Sequence, residues 1–199
     1  MDFAERIKRN AGRLRRMRPE RIAPAATVRK DVAAGAWSAD EPLARLARVC
    51  RAAAGALREQ PLLAARYDGA KRLRSPDAPR LRVGPEGGRR WLLLQGAEEL
   101  AAADLQRRLA DDGGAEDSVE GLELLDLSTL GVADWRGSLV APQVGRLVLL
   151  APGWRPARDG SGPQAVLPLA LDFDQRLLAA AQAAAFVDAV AAALGRDAA

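Results

Sequence analysis

Apolar residues fall on every second position in 166–173, VLPLALDF: Leu167, Leu169, Leu171 and Phe173 alternate with smaller or polar neighbours. A period of two predicts a β-strand with one wholly apolar face turned to the core. The strand is expected to end at Asp174-Gln175-Arg176. Residues 177–194 are expected to continue as a helix, because alanine and leucine dominate there and lose least entropy in helical geometry. Phe186, Val190 and Leu194 form its buried stripe, and Gly195 is its stop. Three polar side chains in a row at a strand-to-helix junction stand at an edge of the core, where sites are usually built.

The same reading runs along the rest of the chain. Phe3, Ile7, Asn10 or Ala11, Leu14 and Met17 recur at helical spacing with Arg6, Arg9, Arg13 and Arg16 around the other side. This predicts an amphipathic basic arm over 1–21 ahead of a domain at 22–199. Residues 27–32 read as a strand with Val28, Lys30 and Val32 on one face. Ser38 and Glu41 fit a capping box before Pro42, and Leu43, Leu46, Ala47, Cys50, Ala53, Ala54 and Leu57 form the stripe of a core helix. Residues 80–83 and 91–95 flank the glycine-rich segment 84–88, which suits a hairpin and lacks the following helix of a phosphate-cradling loop. A short helix is expected at 100–109, strands at 122–128 and 144–150, and a surface hairpin loop over the Gly-, Pro- and charge-rich 151–164.

Composition narrows the chemistry. A chain of 199 residues, half of them apolar, suits one soluble globular domain. The lone Cys50 excludes an internal disulfide, and on the helix stripe it reads as a small buried hydrophobe rather than a nucleophile. There is no histidine anywhere in the chain. A zinc site of the usual kind is therefore excluded, and no metal is expected. The net charge of +4 is unevenly spread: residues 1–30 hold ten basic and three acidic side chains, while 98–126 hold ten acidic side chains against Arg107 and Arg108. Nucleic-acid binding would more often show basic side chains interleaved with aromatics or glycines, and it is not expected here. With no apolar leader and no apolar run of about 18 residues, a cytoplasmic chain without a membrane span is expected.

The segment from Asp174 carries a resemblance to the catalytic domain of dihydrolipoamide acyltransferases, the core subunit of 2-oxo-acid dehydrogenase complexes, and to the related chloramphenicol acetyltransferases. In that family the strand runs into aspartate, histidine, arginine, two apolar residues, then aspartate-glycine. Here the frame reads Asp174, Gln175, Arg176, Leu177, Leu178, Ala179, Ala180. The family histidine is the general base that takes a proton from a thiol, and its place holds Gln175. A primary amide accepts no proton near neutral pH. The second aspartate is replaced by Ala179 and the glycine by Ala180.

A second motif lies at 122–131, an apolar strand ending in Ser128, then Thr129-Leu130-Gly131. In the resembled family the serine at this place steadies the oxyanion of the tetrahedral intermediate. A strand-end serine can equally satisfy a nearby backbone group, and both readings stay open for Ser128. The segment 135–143, WRGSLVAPQ, resembles the family's approach to the next strand, and Glu59-Gln60-Pro61 with Tyr67-Asp68-Gly69 resembles its helix end and turn.

The resemblance implies a two-layer α/β sandwich of the chloramphenicol-acetyltransferase type, with a mixed sheet and helices on one face. It also implies a homotrimer whose site lies between subunits, with Gln175 of one chain facing Ser128 of the next. The expected function is a catalytically degenerate acyltransferase relative acting as a trimeric scaffold or interaction module, with other subunits of a multienzyme assembly as further partners. The alternative is an active transferase that draws on a CoA or pantetheine thioester and a nucleophilic acceptor at a histidine-free site. The positions that bind substrate in either case are Ser128, Thr129, Asp174, Gln175 and Arg176, with Asp174 read as a structural partner for Arg176. No cofactor is required. None of Lys8, Lys30 and Lys71 sits in an aspartate-lysine-alanine hairpin of the kind that carries lipoate, and the short tail after Gly195 argues against a cage. Packing of the N-terminal arm on the core is preferred to its docking on a membrane or an acidic partner.

Overall fold

The computed structural model describes residues 25–34, 40–67, 73–74, 76–85, 91–111, 121–139, 142–157 and 160–196. The expected arm at 1–21, Ser38 of the expected capping box and the tip of the 84–88 connection lie outside them.

A strand of twelve residues, β9 (Pro163–Asp174), sets the frame. Its odd positions are the apolar set read from the sequence: Leu167, Leu169 and Leu171 are fully buried and Phe173 nearly so. Burying each contributes roughly 1.5–3 kcal/mol. The even positions are buried as well, including Ala170, Asp172 and Asp174, so β9 is covered on both faces and not on one. It pairs antiparallel with β1 (Ala25–Ala33) on one side and β7 (Gly145–Leu149) on the other. Next to β7 come β6 (Leu122–Asp126) and β4 (Arg80–Pro85), both running parallel to it, and β5 (Leu92–Gln95) closes that edge antiparallel to β4. The short β8 (Gly153–Pro156) pairs with the first residues of β9, completing a mixed sheet of seven strands. Arg66–Tyr67 (β2) and Leu73–Arg74 (β3) form a separate two-stranded ribbon.

Helices α1 (Pro42–Leu57), α2 (Ala102–Ala110) and α3 (Ala180–Arg196) cover one face, α1 lying between and against the other two. Small residues on α1 (Ala47, Ala53, Ala54) and on α3 (Ala183) are buried in this layer together with Phe186, Val190 and Leu194. Leu43 departs from the expected stripe: it is 43% exposed at the first turn of α1. Glu41 takes the N-cap position itself and makes no side-chain cap.

Two further boundaries differ from expectation. The segment 151–164 is only partly loop: residues 153–156 and 163–166 form a strand pair, closed through Ala157 N–H to Gly162 carbonyl at 2.8 Å and positive φ at Gly160 and Gly162. Backbone pairing needs no particular side chains, so Pro and Gly hid it. The last helix starts at Ala180 and not at Leu177. The Asp174 carbonyl accepts the N–H groups of Leu177 and Leu178, both at 3.1 Å, and winds these residues into a turn first.

On the face without helices the sheet carries a row of polar side chains. Arg82, Glu123, Arg146, Asp172 and Thr27 are direct register partners on five neighbouring strands. Arg82 donates to Glu123 at 2.7 Å, Arg146 donates to the other Glu123 oxygen at 2.8 Å, and the Thr27 hydroxyl donates to Asp172 at 2.6 Å. Signs alternate along the row, as cross-strand neighbours require. Beside it Leu125, Leu127, Val148, Leu150 and Ala170 form a smaller apolar cluster with Trp91, Val132 and Trp135.

Candidate functional site

Ser128 stands at the C-terminal edge of the three parallel strands. β6 stops at Asp126 and Ser128–Leu130 makes a single 3-10 turn, so Ser128 lies just past the strand end rather than within it. Gly131 leaves that turn at φ 72, a left-handed conformation that favours glycine. The Ser128 N–H donates to Asp126 Oδ1 at 2.9 Å. The residue is only 6% exposed, and its Oγ is shielded from solvent with no hydrogen-bond partner among the described residues. The second reading of a strand-end serine, a hydroxyl satisfying the backbone, is therefore not what the geometry contains. Thr129 and Leu130 beside it are exposed.

The chain after Ser128 is tied across the sheet. Trp135 donates its indole N–H to Asp172 Oδ2 at 2.8 Å, and Asp172 is fully buried. A Cβ at Gly137 would come within 2.7 Å of the same oxygen and 2.6 Å of the Trp135 ring, so only glycine lets the segment lie this close. Sequence reading missed this anchor. Its one signal is the alternation of polar Asp172 with Leu171 and Phe173 in a strand taken as having one buried face.

The other end of the site is built at the end of β9. Asp174 is fully buried and its N–H donates to the Val144 carbonyl at 3.0 Å. Arg176 closes on it: its backbone N–H reaches Asp174 Oδ1 at 2.9 Å, its Nε lies 3.0 and 3.2 Å from the two oxygens, and a terminal nitrogen reaches Oδ2 at 2.6 Å. Between these two, Gln175 is exposed and its amide makes no hydrogen bond with a described residue. Ala179 and Ala180 are exposed too, and Ala179 N–H is taken by Gln182 Oε1 at 3.0 Å.

Register fixes how far apart the two ends lie. Asp126 is level with Leu149, and Leu149 with Leu169. Asp174 is five residues further along β9 than Leu169, which is about 17 Å at the rise of a strand. Ser128 lies beyond Asp126 at one edge, and Gln175 lies beyond Asp174 at the other. Within one chain they do not meet, and a site that uses both takes them from two copies.

Cys50 is fully buried in α1; burial chiefly, and the Asp126 carboxylate secondarily, push its thiol well above its ordinary range, which leaves it unreactive. Arg82, wedged 4.3 Å from the Trp91 ring centroid, is held below the ordinary guanidinium range chiefly by burial. Among the described residues no group of three His, Cys, Asp or Glu side chains is placed to hold a metal ion, and no helix is long and apolar enough to cross a membrane.

No protein-family model and no curated protein matches the chain. Solved structures do. A probable dihydrolipoamide acetyltransferase from Listeria monocytogenes superposes with a TM-score of 0.75 at 17% identity, over 98% of this chain and 93% of that one. The dihydrolipoamide acetyltransferase of Azotobacter vinelandii, in whose catalytic mechanism a serine, a histidine and an asparagine have been probed, superposes at 0.74 with 18% identity, over 94% and 87%. A chloramphenicol acetyltransferase superposes at 0.60 with 14% identity, over 88% and 91%. The chain therefore has the acyltransferase fold shared by these enzymes, with a mixed sheet and helices on one face.

Proposed function

We propose that this chain is a catalytically degenerate relative of the 2-oxo-acid dehydrogenase acyltransferase domains, assembled as a homotrimer and serving as a scaffold or interaction module. One observation carries the reading. In a chain without histidine, the exposed amide of Gln175, which has no hydrogen-bond partner among the described residues, stands between Asp174 and Arg176, whose mutual brace is intact. A positioned general base is worth roughly 10²- to 10⁴-fold in rate, and in the resembled family a histidine supplies it at this place. The probed Azotobacter histidine and asparagine are four residues apart. The same spacing here joins Gln175 to Ala179, neither of which titrates near neutral pH.

The separation of the two ends supports assembly. Ser128, with its hydroxyl shielded and without a partner among the described residues, and Gln175, at the opposite edge of the sheet, would form one site only across a subunit boundary. The resemblance supplies the threefold arrangement, and multienzyme assemblies are the setting in which further partners would be met. No resident cofactor is required. A CoA or pantetheine thioester is the acyl donor that the alternative, an active transferase, would draw on.

Sedimentation equilibrium of the full chain tests the assembly. The expected mass is three times the 21.1 kDa of one chain. A monomer at micromolar concentration would overturn the reading.

A further inference from the structure

We infer that the serine end of the site receives a cation, a primary ammonium group, rather than the neutral thiol that the resembled enzymes deprotonate. This rests on the reading above only in taking Ser128 as the surviving end of the site; what it adds is the chemical class of the occupant.

Two oxygens at the end of β6 have no hydrogen-bond partner among the described residues. Asp126, the last residue of the strand and half-buried, gives one carboxylate oxygen to the Ser128 N–H at 2.9 Å. Its other oxygen has no hydrogen bond, and the residue no ion pair, among the described residues. Ser128 Oγ, two residues on, is shielded and has no partner among the described residues. A buried hydroxyl left unmade costs free energy that a ligand recovers on binding. A carboxylate oxygen only accepts hydrogen bonds, and a hydroxyl accepts as well as donates. The complementary ligand therefore brings several donors and a positive charge, and an ammonium group with three N–H bonds fits that description.

The field at this corner argues the same way. Cys50 lies near enough to Asp126 for the carboxylate to add to the burial that holds its thiol protonated. An incoming thiol would meet the same negative charge and would be harder to ionise there, whereas a cation would be drawn in. Asp126 also sits where ligands commonly gather in α/β proteins, at the carboxyl end of parallel strands, here β4, β6 and β7.

The test is calorimetric titration of the full chain with n-butylammonium chloride and with n-butanol at matched ionic strength. Butylammonium is expected to saturate, and butanol of the same length to bind at least about tenfold more weakly, the worth of a charge-assisted hydrogen bond. Asp126→Asn keeps an oxygen for the Ser128 N–H, so the turn persists, and it is expected to weaken butylammonium about tenfold. Asp126→Glu, which keeps the charge, is expected to lose less. Equal binding of amine and alcohol, no saturation by butylammonium, or unchanged affinity in a folded Asp126→Asn would each overturn the inference. Sedimentation of the same samples separates the two claims. A trimer without amine binding sinks this inference alone, and Asp126-dependent amine binding by a monomer sinks the assembly and leaves this standing.

Discussion

Asp174 and Arg176, two residues apart, close on each other at the end of β9: a fully buried carboxylate takes the backbone N–H, the Nε and a terminal nitrogen of a half-exposed arginine. The pair fixes the turn in which Gln175 stands. Because Arg176 is half-exposed, water screens its charge when the carboxylate is removed. The carboxylate also organises the turn's backbone. Asp174→Ala is expected to cost about 2–3 kcal/mol, and Arg176→Ala about 1 kcal/mol or more through the carboxylate left buried. Thermal melts of the two variants check the order; equal losses would mean that the carboxylate acts only through the Arg176 side chain.

Ser128→Ala is expected to leave the melting temperature unchanged or to raise it slightly. Its hydroxyl is buried with no partner among the described residues, so removal relieves a desolvation cost of about 1 kcal/mol. A loss of 1 kcal/mol or more on denaturant unfolding would show that the hydroxyl serves the fold after all.

Glu123 holds two arginines from neighbouring strands and is only 4% exposed. Glu123→Gln keeps the shape and removes the charge, which leaves Arg82 and Arg146 facing each other. The expected loss is about 3 kcal/mol, since breaking a buried pair by removing one partner strands the other charge. Restoring stability with the triple change Arg82→Met, Glu123→Leu and Arg146→Met would show that the row contributes register rather than net stability.

Cys50 is expected to resist alkylation at pH 8 in the native chain and to react at once in urea. Its thiol is fully buried and raised above its ordinary 9.0. The sign for stability follows: the native state keeps a proton that the unfolded state releases above about pH 9, so this group's contribution holds below that value and falls as pH rises past it. Rapid native labelling at pH 8 would contradict the burial.

Much of this fold was legible because the strongest signals were side-chain periods. The alternation over 167–173, the stripe of Cys50, Ala53, Ala54 and Leu57, and the flanks of the β4–β5 hairpin all carry their partners in their own spacing. What stayed hidden was set by backbone or by distant strands. β8 was masked by Gly and Pro because its pairing with β9 uses main-chain groups. The start of α3 was delayed by hydrogen bonds to Asp174. The row from Arg82 to Thr27 becomes visible only once five strands that are far apart in sequence are in register. In the candidate site the frame around Gln175 is readable from sequence, whereas Asp126 and the Trp135–Asp172 anchor gain their neighbours only from the fold.

Acetyl transfer from acetyl-CoA to dihydrolipoamide, measured for the natural chain beside Gln175→His, tests the proposed loss of the base most directly. The natural chain is expected to show no turnover above the uncatalysed rate, and Gln175→His to gain any activity that appears. Turnover by the natural chain within tenfold of a histidine-bearing acetyltransferase, abolished by Ser128→Ala, would contradict the account.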